Sequence, residues 1–410
     1  MLKPDFRSAE FIADPYPHYA RLRAAAPVCA LAPHTWLLTR YRDADLVLRD
    51  ARLGKDFKAV LARRYGRDMG GEPAFRTVNA FLLLMNPPQH TRLRGLLSKA
   101  FSVKQAAELR AAVQAQADAL VDGFIGQGQA DLVSAYAYPL TVRVICGMLG
   151  LELERGMLGL ELEHSLVFQR ETSALLKTFE LVPLTPDELD TANAAALRFE
   201  AFFREVLAQR RRHPGGDLVS LLLATEESGD RLSEDEIIAN IVMLFVAGHE
   251  TTANMLGNAL ALLSHHPQQL QRLREDPSLL PGAVEECLRF DAAVQIAARV
   301  ALQAVELGGV AIAAGDTLYL ALGAANRDPD VFDDADRFRI DRPAGTAKAL
   351  SFGGGIHYCL GARLARIELE TGLATLLRRL PSLRIDDPDS LKWKPTFTVR
   401  GPESLPAQWQ

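Results

Sequence analysis

Residues 351–366 read SFGGGIHYCLGARLAR, in which three consecutive glycines and a histidine precede a single cysteine, Cys359. Apolar residues recur at helical spacing directly after it, so Cys359 lies just before a predicted helix. A helix N-terminus and converging backbone amides favour the thiolate, the form of cysteine that binds metals. No second cysteine or histidine stands at zinc-site spacing, so iron in a porphyrin, which needs one protein ligand, is the natural candidate. The alternative is a buried structural cysteine.

The composition predicts a globular protein that buries a large core. The chain has 410 residues, of which 48% are hydrophobic and 24% charged, and its net charge of -5 offers no global basic field for nucleic acid or anionic membranes. Its four cysteines form no CxxC pair, which argues against a disulfide framework and fits a reducing compartment. The opening MLKPDFRSAEF has no signal-peptide core, and IVMLFVAG, residues 241–248, is far shorter than the roughly 20 residues of a membrane span. We expect a soluble, cytoplasmic protein.

Most of the chain has the apolar period of helices. The pattern is clearest in AAELRAAVQAQADALVDGFI, in AALRFEAFFREVLAQRRR and in a run of more than 30 residues around IIANIVMLFVAGHETTANMLGNALALLSHH. Ser233 and Glu236 have the spacing of a capping box at the start of that run, and Pro267 ends it beyond His266. The duplicated MLGLELE, at 148–154 and 157–163, is given no function.

Strand-like runs are few and short. They are VCALA and TWLLT on either side of Pro33 and His34, and ARVAL, VELGGVAI and DTLYLAL between residues 298 and 322, with Gly308 and Gly309 predicting a hairpin. No Gly/Ser/Pro-rich linker divides the chain. We therefore predict a mainly α protein with a small β portion, folded as a single domain over residues 1–410.

The cysteine segment closely resembles the haem-binding signature of the cytochrome P450 family. The matching residues are Phe352, Gly353, Gly355, His357, Cys359 and Gly361, and Gly354 stands at a position that varies in the family. The resemblance implies the cytochrome P450 fold, with a long central helix over a haem b group (iron protoporphyrin IX). It also implies that Cys359 is the proximal ligand of the haem iron, that Phe352 packs near the sulfur and that His357 approaches a haem propionate.

The AGHETT segment of the long helix is a second mark of the family. The small residues Ala247 and Gly248 leave room beside a flat cofactor, where oxygen could bind. The resemblance implies that Glu250 and Thr251 are catalytic and deliver protons during oxygen activation. Without the resemblance, the Thr251 hydroxyl could equally bond the Ala247 carbonyl, as helical threonines often do. Thr252 has the same chemistry, so the choice between the two threonines rests on the resemblance.

Further motifs follow in the order that the family has. In EECLR, Glu286 and Arg289 are three residues apart on one helical face and can form an ion pair. The family buries this pair and adds an arginine from a later loop, for which Arg337 matches best and Arg342 is the alternative. These residues are interpreted as structural.

Haem propionates need cationic or hydrogen-bonding partners, and arginine offers a planar charged fork. The resemblance assigns this role to His90, Arg94 and Arg299 together with His357. Asn86 and Gln89 stand where the family usually has acidic residues. The match spans roughly residues 85 to 401.

The resemblance implies a monooxygenase that hydroxylates or epoxidises its substrate with O2 and two electrons. No GxGxxG follows a strand, so a separate ferredoxin and ferredoxin reductase are expected to supply the electrons, and Arg363 and Arg366 could form part of a basic patch for the ferredoxin. The protein is expected to be a monomer. A peroxide-driven peroxygenase and a non-enzymatic haem carrier or gas sensor are the alternatives, although neither needs the Glu250-Thr251 pair.

Family precedent also predicts the substrate-pocket residues, and these are largely apolar. They are residues from about 68 to 85, Phe168, Leu244, Ala247, residues 294–297 including Val294 and Ile296, Thr396 and Phe397. We expect a medium or large hydrophobic substrate such as a polyketide, a terpenoid or a fatty acyl chain. The whole resembles bacterial enzymes that tailor secondary metabolites.

Overall fold

The structure is a computed structural model that describes residues 5–100, 103–151, 162–224, 226–227, 230–343 and 345–410. Most of the duplicated MLGLELE segment lies outside these residues. The chain forms two compact units, and three of the four boundaries between them fall within helices, while the first follows a short strand. The first unit comprises Met1–Gly54, Val113–Leu140 and Thr251–Gln410, and the second comprises Lys55–Ala112 and Thr141–Glu250. A single domain over residues 1–410 stays a prediction.

Helices dominate the described residues, as the apolar period predicts. In chain order they are α1 (Ala9–Ala13), α2 (Tyr16–Ala25), α3 (Tyr41–Arg49), α4 (Lys58–Tyr65), α5 (Pro73–Asn79), α6 (Gln89–Ala100), α7 (Val103–Phe124), α8 (Tyr138–Leu149), α9 (Leu162–Leu176), α10 (Pro186–Arg212), α11 (Leu218–Ala224), α12 (Glu234–His265), α13 (Pro267–Glu275), α14 (Leu280–Phe290), α15 (Leu322–Ala325) and α16 (Ala362–Arg379). Of the helices in the described ranges, none combines the length and apolar character of a membrane span.

The strands are short and make up the small β portion. They are β1 (Val28–Ala32), β2 (Thr35–Leu38), β3 (Leu53–Gly54), β4 (Gln129–Asp131), β5 (Glu226–Glu227), β6 (Asp230–Arg231), β7 (Ile296–Ala301), β8 (Val305–Leu307), β9 (Val310–Ile312), β10 (Thr317–Ala321), β11 (Arg384–Ile385) and β12 (Pro406–Gln408). The mainly α fold class is confirmed.

The central helix α12 is 32 residues long, or about 48 Å at 1.5 Å per residue. Its capping box is present, since the Glu236 amide donates to Ser233 Oγ at 3.2 Å and the Ser233 amide donates to Glu236 Oε2 at 2.9 Å. The helix ends at His265, and Pro267 is the first residue of α13, a position where its missing N–H leaves no hydrogen bond unmade.

A five-stranded sheet of order β1-β2-β10-β7-β3 lies in the first unit. Strands β2 and β10 pair in parallel, with Trp36 opposite Leu318, and β10 pairs antiparallel with β7, which places Arg299 opposite Leu318. Apolar side chains of the sheet and of α3 form one core cluster, which includes Leu38, Leu48, Leu320 and Leu350. Leu350 ties the segment that leads into the cysteine loop to this core.

The β8–β9 hairpin forms where Gly308 and Gly309 predict it. Both glycines have positive φ, +57° and +78°, as the tight primed turns of two-residue hairpins require.

Candidate active site

The cysteine loop is a compact turn that ends at the first residue of α16. Gly353 and Gly355 have φ of +69° and +63°, which residues with a Cβ adopt only under strain. The Cys359 amide donates to the Phe352 carbonyl at 2.9 Å, and the Tyr358 amide donates to the Gly355 carbonyl at 3.1 Å. Of the four cysteines only Cys359 is exposed. The loop therefore presents one accessible sulfur just before a helix N-terminus, as the sequence predicts.

Gly355 also lets the loop lie directly against α3. A Cβ at this position would collide with the Leu48 carbonyl oxygen, and one at Gly354 would already touch the Leu48 side chain at 3.3 Å. The glycine run is therefore needed both for the turn and for the close approach of two backbones. By contrast, a Cβ at Gly361 would meet open space.

Phe352 is held from one side by an arginine of α16. The Arg366 guanidinium lies over the Phe352 ring, 4.5 Å from its centroid, and makes an ion pair with Glu285 of α14. The charge of Arg366 is thus balanced by Glu285, whereas Arg363 is exposed and makes no ion pair within the described ranges.

The predicted ion pair of α14 is present and fully buried. Arg289 donates to Glu286 through Nε at 2.7 Å and through Nη2 at 2.8 Å. The bracing arginine is Arg342, whose Nε donates to Glu286 Oε2 at 2.8 Å. The preference for Arg337 is therefore wrong: its carbonyl oxygen accepts from Arg289 and Arg342, and the backbone places the guanidinium of Arg342, five residues later, against the carboxylate.

Arg299 is a buried cation without a carboxylate partner among the described residues. It is 3% exposed, and the hydrogen bond found for its guanidinium goes from Nη1 to the Ala298 carbonyl at 3.0 Å. Burial lowers the pKa of Arg299 to about 10. A buried guanidinium is stabilised by a nearby anion, and a haem propionate carries the negative charge that this requires. His357, partly exposed, lies on the cysteine loop of the same unit.

The second unit holds the other two residues predicted to bind propionates. His90 and Arg94 lie four residues apart on α6, where His90 is 1% exposed and Arg94 partly exposed. Asn86, which departs from the family's acidic residue, accepts the Lys55 amide with Oδ1 at 2.9 Å, and its carbonyl accepts the His90 amide at 2.9 Å. Asn86 therefore anchors the start of α6 as a neutral acceptor.

The AGHETT residues lie in the middle of α12. Ala247 is exposed, Gly248 and Thr251 are partly exposed, and Glu250 is 3% exposed. A Cβ at Gly248 would come within 3.0 Å of Ile145, so this glycine allows close packing with α8.

His249 of the AGHETT segment has no role assigned by the sequence pattern. This residue is buried, and its Nδ1 lies 2.6 Å from the Phe245 carbonyl, one turn back along α12.

The predicted pocket residues fall in both units. In the second unit, Leu244 is buried and Phe168 packs in an aromatic cluster, 5.0 Å from the Phe245 ring and 5.4 Å from the Phe202 ring.

In the first unit, Val294 forms a β-bridge with Val399, which brings the 294–297 and 396–399 segments together. Phe397 is 6% exposed, and its ring lies 4.3 Å from that of Phe6, a contact that the sequence did not predict.

Clusters of metal-ligating side chains are a further feature to compare with the single cysteine. Within the described ranges no group of three or more His, Cys, Asp or Glu side chains could hold a metal ion. The residues fit an iron porphyrin. Cys359 offers the one thiolate that its iron requires, and Arg299 offers a cation for an anionic group such as a propionate.

Comparisons with known proteins agree with this geometry. The family model for Cytochrome P450 matches residues 54–400. Cytochrome P450 133B2 of Xylella fastidiosa is 40% identical over 401 residues, covering 98% of each chain. The 6-deoxyerythronolide B hydroxylase of Saccharopolyspora erythraea is 37% identical and covers 99% of this chain and 98% of its own. A solved structure of myxobacterial CYP267B1 in complex with myristic acid has a TM-score of 0.89 and 35% identity, with 99% of both chains covered.

Proposed function

The chain belongs to the cytochrome P450 family, and we propose that it inserts one oxygen atom of O2 into a hydrophobic organic substrate by hydroxylation or epoxidation. It has the fold of that family and is a haem-thiolate monooxygenase. The observation that carries the proposal is the accessible Cys359 thiol at the end of a glycine loop and just before α16.

The cofactor is proposed to be haem b. Cys359 would bind its iron, Arg299 and His357 of the first unit would hold its propionates, and His90 and Arg94 of the second unit are assigned the same role by the resemblance. A haem bound through a thiolate would favour cleavage of the O–O bond, because the thiolate donates electron density to the iron. Arg299 supports the assignment because a buried guanidinium fork is stabilised by a carboxylate.

Proton delivery is proposed for Glu250 and Thr251. Positioned proton donors contribute about 10²- to 10⁴-fold to a reaction, so Thr251→Ala should lower product formation by at least about tenfold and raise the peroxide released per O2 consumed. Thr252→Ala is the matched control, since Thr252 is the next residue and its side chain is buried. Unchanged coupling in Thr251→Ala would contradict proton delivery through this residue, and full turnover with hydrogen peroxide alone would favour a peroxygenase.

The electrons are proposed to come from a ferredoxin and a ferredoxin reductase, and the protein is proposed to act as a monomer. Arg363 is exposed and unpaired within the described ranges, which makes it the better of the two predicted contacts for an acidic partner, because Arg366 is already paired with Glu285. Charge reversal at Arg363 should slow electron transfer at low salt, with the difference fading as salt is raised.

The substrate is proposed to be a medium or large hydrophobic molecule of secondary metabolism. Leu244, Val294, Ile296 and Phe397 give the predicted pocket an apolar character, Thr396 adds a hydroxyl, and the names of two similar proteins refer to 6-deoxyerythronolide B and to myristic acid. The test is a panel of polyketides, terpenoids and fatty acids, scored by the spin-state change of the haem on binding. No change with any class would contradict the assignment.

A further inference from the structure

Asn326 joins the buried ion pair of α14 to the segment that leads into the cysteine loop. It follows the last residue of α15 and is completely buried. Its Oδ1 accepts the Leu350 amide at 2.7 Å, and its Nδ2 donates to Ser351 Oγ at 2.9 Å. Its carbonyl oxygen accepts from Arg289 Nη1 at 2.9 Å. The hydrogen bonds of one side-chain amide are thus made to two consecutive residues of the cysteine segment.

Ser351 extends this connection to α14. Its hydroxyl accepts a hydrogen bond from Asn326 and donates one to the Leu288 carbonyl at 2.5 Å, so it acts as acceptor and donor at once. The turn that contains Ser351 closes when the Gly353 amide donates to the Leu350 carbonyl at 2.7 Å, and the carbonyl of Phe352, the residue after Ser351, accepts the Cys359 amide at 2.9 Å. The two side-chain bonds therefore hold the backbone immediately before the carbonyl that anchors Cys359.

We propose that Asn326 is a positioning residue for the Cys359 thiolate, acting through Ser351 and the Phe352 carbonyl. The inference rests on the proposed assignment of Cys359 as the haem ligand. Groups that hydrogen-bond outside the ligand itself orient a metal ligand, and their loss weakens or misplaces it. The carboxamide of Asn326 meets this requirement because it accepts a hydrogen bond from the Leu350 amide and donates one to the Ser351 hydroxyl.

Asn258 provides a matched control. It is also a completely buried asparagine of the first unit, and its Nδ2 donates to the carbonyl oxygens of Asp291 at 3.0 Å and Arg400 at 3.2 Å. Asn326→Leu and Asn258→Leu each remove buried amide hydrogen bonds and replace them with an apolar group of similar size. Both should destabilise the fold, but only the first should loosen the cysteine segment.

The first measurement is amide hydrogen exchange of the haem-free protein, read on peptides that cover residues 350–359. In Asn326→Leu the amides of Leu350, Gly353 and Cys359 should exchange about tenfold faster or more, while Asn258→Leu leaves them at the wild-type rate. The second measurement is the carbon-monoxide spectrum of the reduced, haem-loaded protein. The fraction with the red-shifted band of a thiolate ligand should fall by about half or more in Asn326→Leu and stay at the wild-type level in Asn258→Leu.

Equal exchange at residues 350–359 in the two variants would overturn the proposal, and so would faster exchange with an unchanged thiolate fraction. Should Asn326→Leu fail to fold, Ser351→Ala removes the bonds that the Ser351 hydroxyl makes with Asn326 Nδ2 and the Leu288 carbonyl, and it should change both readouts in the same direction. Cys359→Ser separates this proposal from the proposed function. If that variant keeps the thiolate band, the ligand assignment fails, whereas the exchange comparison still decides whether Asn326 holds the loop.

Discussion

Replacing Glu286 by glutamine tests the buried charge cluster that Asn326 joins to the segment before Cys359. Glu286 Oε2 accepts from Arg289 Nε at 2.7 Å and from Arg342 Nε at 2.8 Å, while Oε1 accepts from Arg289 Nη2 and from the Arg339 amide, each at 2.8 Å. The side chains of Glu286 and Arg289 are 1% and 3% exposed, so water cannot solvate the guanidinium groups that lose their anionic partner. Leaving a buried charge without its partner costs about 3–5 kcal/mol.

The assay is urea unfolding of the haem-free protein followed by far-ultraviolet circular dichroism, which keeps loss of the cofactor out of the measurement. Glu285→Gln is the matched control. Glu285 is the preceding residue of α14, and its partner Arg366 lies in a half-exposed pair, so its loss should cost at most about 1 kcal/mol. Equal losses in the two variants, or a loss below about 1 kcal/mol in Glu286→Gln, would refute the reasoning.

Two further substitutions test the site directly. Arg299→Gln should raise the unfolding free energy of the haem-free protein by up to about 3 kcal/mol and speed haem loss, because burial lowers the pKa of Arg299 to about 10. This pKa lies below the value in the unfolded chain, so the cost of burying the charged guanidinium is present below about pH 10 and fades above it. The stability that Arg299→Gln gains, measured by urea unfolding, should therefore shrink as the pH rises above about 10. A stability gain that does not change with pH would contradict this reasoning. Gly355→Ala should cost about 3 kcal/mol or more, because φ is positive and a Cβ meets the Leu48 carbonyl, whereas Gly309→Ala, with positive φ and open space, should cost about 1–2 kcal/mol. Equal thermal shifts for the two glycine variants would contradict the close approach.

Features with local signals were predictable from the sequence. The capping box of α12 depends on two residues three apart, and the β8–β9 turn depends on two adjacent glycines that tolerate positive φ. The place of Cys359 before α16 follows in the same way from a glycine run and the helical period after it. In each case the residues that determine the geometry are the residues that adopt it.

Features that join distant segments were not predictable in this way. Arg337 and Arg342 lie in the same irregular segment, and the choice between them depends on how that backbone turns, which no spacing rule specifies. Asn326 bonds Leu350 and Ser351 across an interval that carries no periodic pattern. The contact of Phe6 with Phe397 likewise joins two regions far apart in the chain.

The most direct test of the account is the spectrum of the reduced, carbon-monoxide-bound protein, recorded for the wild type and for Cys359→Ser under identical conditions. The wild type should show the red-shifted Soret band of a thiolate-ligated haem, and the variant should lose it, because serine provides no thiolate. A histidine-type spectrum in the wild type, or the same red-shifted band in both proteins, would contradict the assignment of Cys359 as the iron ligand.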